Sequence, residues 1–74
     1  MKRNVLKRAR EEKGYGQLFI AQNVGIHRSY YGFIENGKRN PTYEVALKIS
    51  NVLGKDIKEL FKDEIFFNKK CYKV

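Results

Sequence analysis

The sequence predicts an all-α fold, a compact set of five short helices around one thin core, and three observations predict it. Apolar residues recur at three- and four-residue spacing through the first sixty or so positions. These stretches are closed by Gly14, Gly25, Asn36-Gly37 and Gly54, residues of the kind that end helices. Gly14-Tyr15-Gly16 leaves room only for a tight connection between the first two.

Val5, Leu6 and Ala9 share one helical face within Asn4–Lys13, and Gly14 is the stop signal. Ile20, Ala21 and Val24 form the face of a second helix, ended by Gly25. A third helix is expected from about Arg28 to Glu35, with Tyr31 and Ile34 pointing inward. Pro41 then breaks the chain, and Thr42 is placed to cap a fourth helix by accepting from a free backbone N–H. Ala46, Leu47, Ile49 and Leu53 make its apolar stripe, and Gly54 ends it. Asp56 or a neighbour opens a fifth, short helix holding Ile57, Leu60 and Phe61.

Residues 1–63 thus read as one domain and 64–74 as a C-terminal extension. Ile65-Phe66-Phe67 and Cys71-Tyr72-Lys73-Val74 are rich in β-favouring residues, with the turn signal Asn68-Lys69-Lys70 between them. The extension is expected to be a small hairpin or a strand that pairs across a dimer; a frayed tail is the alternative.

At 74 residues the chain has room for one domain, and a domain of that size buries only about 60–65% of the surface its unfolded chain exposes. The single cysteine, Cys71, excludes an internal disulfide, and with the single histidine, His27, it cannot build a zinc site. A partner subunit is the most available source of further burial, so a homodimer is expected. No cofactor is implied. No apolar run approaches the roughly 20 residues that span a bilayer, and the basic N-terminus leads into Glu11 and Glu12 rather than an apolar stretch. A cytoplasmic location is the expectation.

The net charge is +8, and it is uneven: nine basic and three acidic residues precede Pro41, against seven and five from there on. A polyanion partner meeting the N-terminal half is the natural reading, with simple solubility charge as the alternative. An enzyme has no support. There is no paired carboxylate set, no nucleophile with a base and no Gly-rich phosphate loop; Glu11-Glu12 and Asp63-Glu64 read as solvated charges.

The most informative spacing lies in Gln17–Ile34. Ala21 is small enough for two helices to cross closely, Gly25 allows the positive φ of a sharp turn, and Ile26 plugs that turn into the core. That is the specification of a helix-turn-helix, whose second helix enters the major groove of DNA. The chain resembles the Cro and phage-repressor (XRE-type) family of helix-turn-helix regulators. The resemblance rests on Leu6, Arg10, Lys13-Gly14, Gln17, Ala21, Gly25-Ile26, Arg28-Ser29-Tyr30 and above all Ile34-Glu35-Asn36-Gly37-Lys38-Arg39-Asn40-Pro41. It continues through Leu47, Ile49, Leu53-Gly54, Ile57 and Leu60-Phe61.

The resemblance implies a repressor-like DNA-binding domain and a role for each matching position. Arg28, Ser29 and Phe33 match positions that face base edges, and Arg28 is the foremost because a guanidinium can bond guanine O6 and N7 together. Gln17 matches a phosphate contact at a helix N-terminus. Asn36, Lys38 and Arg39 match a loop that grips the DNA backbone, and His27 and Tyr30 are further phosphate candidates. Arg10 and Glu35 match a structural ion pair.

The chain departs from the family pattern at several places. Gly16 stands where a capping Ser or Thr is usual, and so does His27, which serves either as a weak cap or as a phosphate contact. Gly32 is a poor helix former within the recognition helix. Phe33 offers no hydrogen bond, so it touches a thymine methyl or packs against Tyr30. Leu18 and Phe19 occupy positions that are normally polar; we expect them in the core, with an apolar patch for a protein partner as the alternative.

The expected function is a DNA-binding transcriptional regulator, a repressor reading a roughly palindromic operator as a dimer. The competing expectation is a protein-interaction module, such as an antitoxin or a modulator of another regulator. A membrane-surface role has little support, because the basic residues do not line one face of a long amphipathic helix.

Overall fold

A computed structural model describes residues 3–61, and these form five helices. Helix α1 spans Asn4–Glu12, α2 Gln17–Val24, α3 Arg28–Glu35, α4 Tyr43–Leu53 and α5 Ile57–Leu60. The domain boundary expected at 63 and the extension 64–74, whether strand, hairpin or tail, lie outside the described residues.

The helix ends follow from local chemistry. Thr42 accepts from the Val45 N–H at 3.1 Å and Asp56 from the Lys58 N–H at 3.2 Å, so α4 and α5 each start on a side-chain cap. Gly16 and His27 precede α2 and α3 without any side-chain cap bond. The capping alternative for His27 is therefore set aside: its Nδ1 lies 3.2 Å from the Ser29 hydroxyl instead of binding a backbone N–H. Gly25 ends α2 at φ 87°, a left-handed conformation that a Cβ would strain.

One core joins all five helices. Leu6 and Ala9 from α1, Ile20, Ala21 and Val24 from α2, and Tyr31 and Ile34 from α3 are buried. They meet Ala46, Ile49 and Leu53 from α4, together with Leu60 and Phe61. Helix α2 packs on both α3 and α4, while α5 closes against α1 and α4. Ala21, with no exposed surface, allows the close approach of α2.

Three apolar residues expected inside lie outside. Leu18 is 52% exposed and Phe19 43%, because the buried face of α2 runs through Ile20, Ala21 and Val24. At roughly 100° per residue, positions 18 and 19 point away from that face. Phe19 instead stacks on Tyr15, with ring centroids 4.3 Å apart. Leu47 is 40% exposed and does not belong to the α4 stripe. Its inward place is taken by Ser50, one turn on from Ala46, whose hydroxyl donates to the Leu47 carbonyl at 2.8 Å. Among the described residues no helix is long and apolar enough to cross a membrane, and no cluster of His, Cys, Asp or Glu could hold a metal ion.

Candidate nucleic-acid interface

Helix α3 has two unlike sides. Tyr31, Ile34 and Glu35 are buried, whereas Arg28, Ser29 and Phe33 are exposed and Tyr30 is half-buried. The buried side carries charge, which is unusual for a core and requires partners. Glu35 has them: Arg10 donates from Nε to Oε2 at 2.5 Å and from Nη2 to Oε1 at 3.2 Å. The Tyr31 hydroxyl donates to Oε2 at 2.7 Å, and Gln17 Nε2 to Oε1 at 3.1 Å. Burial alone would push the Glu35 carboxyl up, but these donors outweigh it and hold the group below its ordinary value. The same contact raises the Arg10 guanidinium against its own burial, and burial followed by the bond to Glu35 pushes the Tyr31 hydroxyl up.

This buried cluster reaches the surface through one side chain. Gln17 turns its amide so that Nε2 faces Glu35 and Oε1 accepts from Arg28 Nη1 at 3.2 Å. The orientation is forced, since a carboxylate only accepts and a guanidinium only donates. Arg28 is therefore held on the exposed side of α3 by a chain of bonds that begins in the core. The link does not depend on the glycine at 32: a Cβ there would sit 3.5 Å from Gln17 Oε1, in ordinary contact.

The loop after α3 turns its main chain inward and its cations outward. Gly37, at φ 77°, donates its N–H to the Ile34 carbonyl, and the Lys38 and Arg39 amides both donate to the Phe33 carbonyl. The side chains of Lys38 and Arg39 are exposed, and the Arg39 guanidinium lies 5.9 Å from the centroid of the Phe33 ring. Two short helices, a glycine turn and a rim of exposed cations beside the second helix thus form one surface. The helix-turn-helix family profile matches residues 6–60, all five helices but for the first two residues of α1. The chain belongs to the helix-turn-helix family of Cro and phage-repressor (XRE) type.

This regulator is 44% identical to YqaF, an HTH-type transcriptional regulator of Bacillus subtilis (strain 168), over 85% of its own length and 83% of that protein's. It is 44% identical to the control protein C.MunI of a Mycoplasma species, over 81% of its own length and 82% of that protein's. Among solved structures it is similar to the restriction-modification controller protein C.AhdI from Aeromonas hydrophila. The TM-score is 0.70 at 38% identity, covering 76% of this chain and 85% of that one. The regulator is a DNA-binding protein by family.

The structure brings most of the sequence-predicted site residues together. Arg28, Ser29, His27, Tyr30 and Phe33 lie on α3 or at its entry, Gln17 opens the neighbouring helix, and Asn36, Lys38 and Arg39 follow α3 directly. Phe33 bears against Arg39. Arg3 is a further residue of this region, and no pattern in the sequence marks it. Only 7% of it is exposed, and its guanidinium binds the end of α3 and the loop that follows. Its partners are mostly backbone carbonyls, which leave no mark in a sequence.

Proposed function

We propose that the regulator reads a specific DNA operator as a homodimer and represses the promoter it occupies. The observation that carries this reading is Arg28, exposed on α3 yet fixed through Gln17 to the buried Glu35–Arg10 pair. A guanidinium pre-positioned in this way can meet guanine O6 and N7 without first paying the full entropy of ordering its long side chain. Ser29 and Phe33 would complete base-edge contact, the latter by an apolar touch to a thymine methyl. Gln17, through its second amide N–H, His27, Tyr30, Asn36, Lys38 and Arg39 would hold phosphates and fix the register of the helix in the groove.

Dimerisation would use α5 and the C-terminal residues. Two recognition helices on one DNA face would require half-sites about 34–36 Å apart, one helical turn, and so a roughly palindromic operator. Selection from random-sequence duplexes across a salt series is the test, followed by sedimentation of the selected complex. The expected result is a short two-fold motif bound by two chains, with affinity falling steeply as salt rises. Generic binding with no enriched motif, or one chain per site at all concentrations, would overturn it.

A second reading is favoured by the exposed Leu18 and Phe19: a surface for a protein partner, whether in addition to DNA or in place of it. Its mark would be a partner lost on changing both residues to Ser while DNA binding is retained.

A further inference from the structure

Arg3 precedes the first helix, far in sequence from the helix-turn-helix, yet its polar groups converge on the end of the recognition helix. Its backbone N–H donates to the Glu35 carbonyl at 2.8 Å. Nη1 donates to the Ile34 carbonyl at 2.6 Å and to the Arg39 carbonyl at 3.3 Å, and Nη2 to Asn40 Oδ1 at 2.7 Å. The guanidinium carbon lies 5.6 Å from the centroid of Phe61, a core ring with no exposed surface. A cation at this end of α3 also meets the negative pole of the helix.

These contacts have a common result. The acceptors bracket the segment from Ile34 to Asn40, from which Lys38 and Arg39 project. The fork shape of a guanidinium is what lets one group bind a helix carbonyl, a loop carbonyl and a loop side chain together; an ammonium at the same place is a point charge without that fork. Arg3 itself is too buried to reach a phosphate.

We propose that Arg3 is a positioning residue for DNA-backbone binding: it fixes the loop 36–40 so that Lys38 and Arg39 meet phosphates, and never touches DNA. This rests on the reading that Lys38 and Arg39 are phosphate contacts.

The test uses the full chain and a random-sequence duplex as probe, with affinity measured from 50 to 300 mM salt. Arg3→Lys keeps the net charge. Even so, it is expected to weaken binding about tenfold and to lower the salt slope by about one, as though a cation had been removed from the interface. Adding Lys38→Ala to Arg3→Lys should then cost less than Lys38→Ala costs alone. A purely structural role would lower the melting temperature but move neither the slope nor the coupling. Asn40→Ala gives the same readout while sparing Arg3 and its carbonyl partners, should Arg3→Lys fold poorly. If Lys38→Ala and Arg39→Ala each weaken binding but Arg3→Lys and Asn40→Ala leave the slope unchanged, the positioning role is wrong and the phosphate reading stands. If Lys38→Ala and Arg39→Ala bind like the parent, both ideas fall.

Discussion

Arg10 lays two guanidinium nitrogens along the Glu35 carboxylate, Nε on Oε2 and Nη2 on Oε1, and so ties the first helix to the last residue of the third. The remaining acceptor capacity of Glu35 is taken by Tyr31 and Gln17. Removing Arg10 alone would leave a buried carboxylate short of its main partner, which costs about 3–5 kcal/mol. A domain of this size has only about 3–5 kcal/mol to lose. Arg10→Met is therefore expected to be largely unfolded at 25 °C by circular dichroism, and a variant that melts near the parent temperature would contradict the assignment.

The same pair sets an acid limit. The Glu35 carboxyl is held below its ordinary value of 4.5 in the folded protein, so its contribution is complete above about pH 4.5 and drains away as pH falls through the folded value. Urea midpoints measured from pH 7 down to pH 3 should fall more steeply for the parent than for Glu35→Gln. Parallel curves would show that Glu35 carries no part of the acid transition.

Gly32 gives a prediction of the opposite sign. It sits within α3 at a negative φ, and a Cβ there meets nothing closer than Gln17 Oε1 at 3.5 Å. Gly32→Ala should stabilise the domain by up to about 1 kcal/mol through helix propensity and reduced freedom of the unfolded chain. For so small a domain that is a rise of about 4–8 °C in melting temperature. A fall would mean that Gln17 has no room to give.

Arg28 and Lys38 should fail differently. Arg28→Ala is expected to cost about 1–3 kcal/mol on the selected operator and to relax preference at one base pair of each half-site. Lys38→Ala should weaken all sequences alike and reduce the salt slope by about one. Competition binding against operator and scrambled duplexes separates the two outcomes, and identical behaviour would dissolve the division between base and backbone contacts.

Leu18 and Phe19 differ in how firmly they are held. Leu18→Ser should change stability by no more than about 0.5 kcal/mol, as befits an exposed position. Phe19→Ser should cost about 0.5–1.5 kcal/mol, because it also removes the ring stacked on Tyr15. Denaturant titration of both variants checks this, and a loss of several kcal/mol at Leu18 would return that residue to the core.

The helix frame was legible in the sequence because its signals are local. Periodic apolar positions, Thr42 at a cap and glycines at helix ends each act within a few residues, and the observed helices follow them closely. Leu18, Phe19 and Leu47 have the apolar character of core residues but not the rotational phase, which on a helix decides which residues turn inward. Arg3 was not legible at all. The hydrogen-bond acceptors of its guanidinium at the end of α3 and in the loop lie 31 to 37 residues away and are mainly carbonyl oxygens, which every residue possesses. The Arg10–Glu35 pairing came from the family resemblance; the spacing of the two residues does not reveal it.

The amide of Gln17 has a consequence for anyone who would retarget this protein to a new DNA sequence. Its carbonyl oxygen is oriented toward Arg28 because its nitrogen is claimed by Glu35, so position 28 is matched to a donor. An acidic residue placed at 28 to seek cytosine would meet that oxygen as a second acceptor. Libraries that vary Ser29 and Phe33 can leave the buried side of α3 alone, but positions 17 and 28 need to be randomised as a pair.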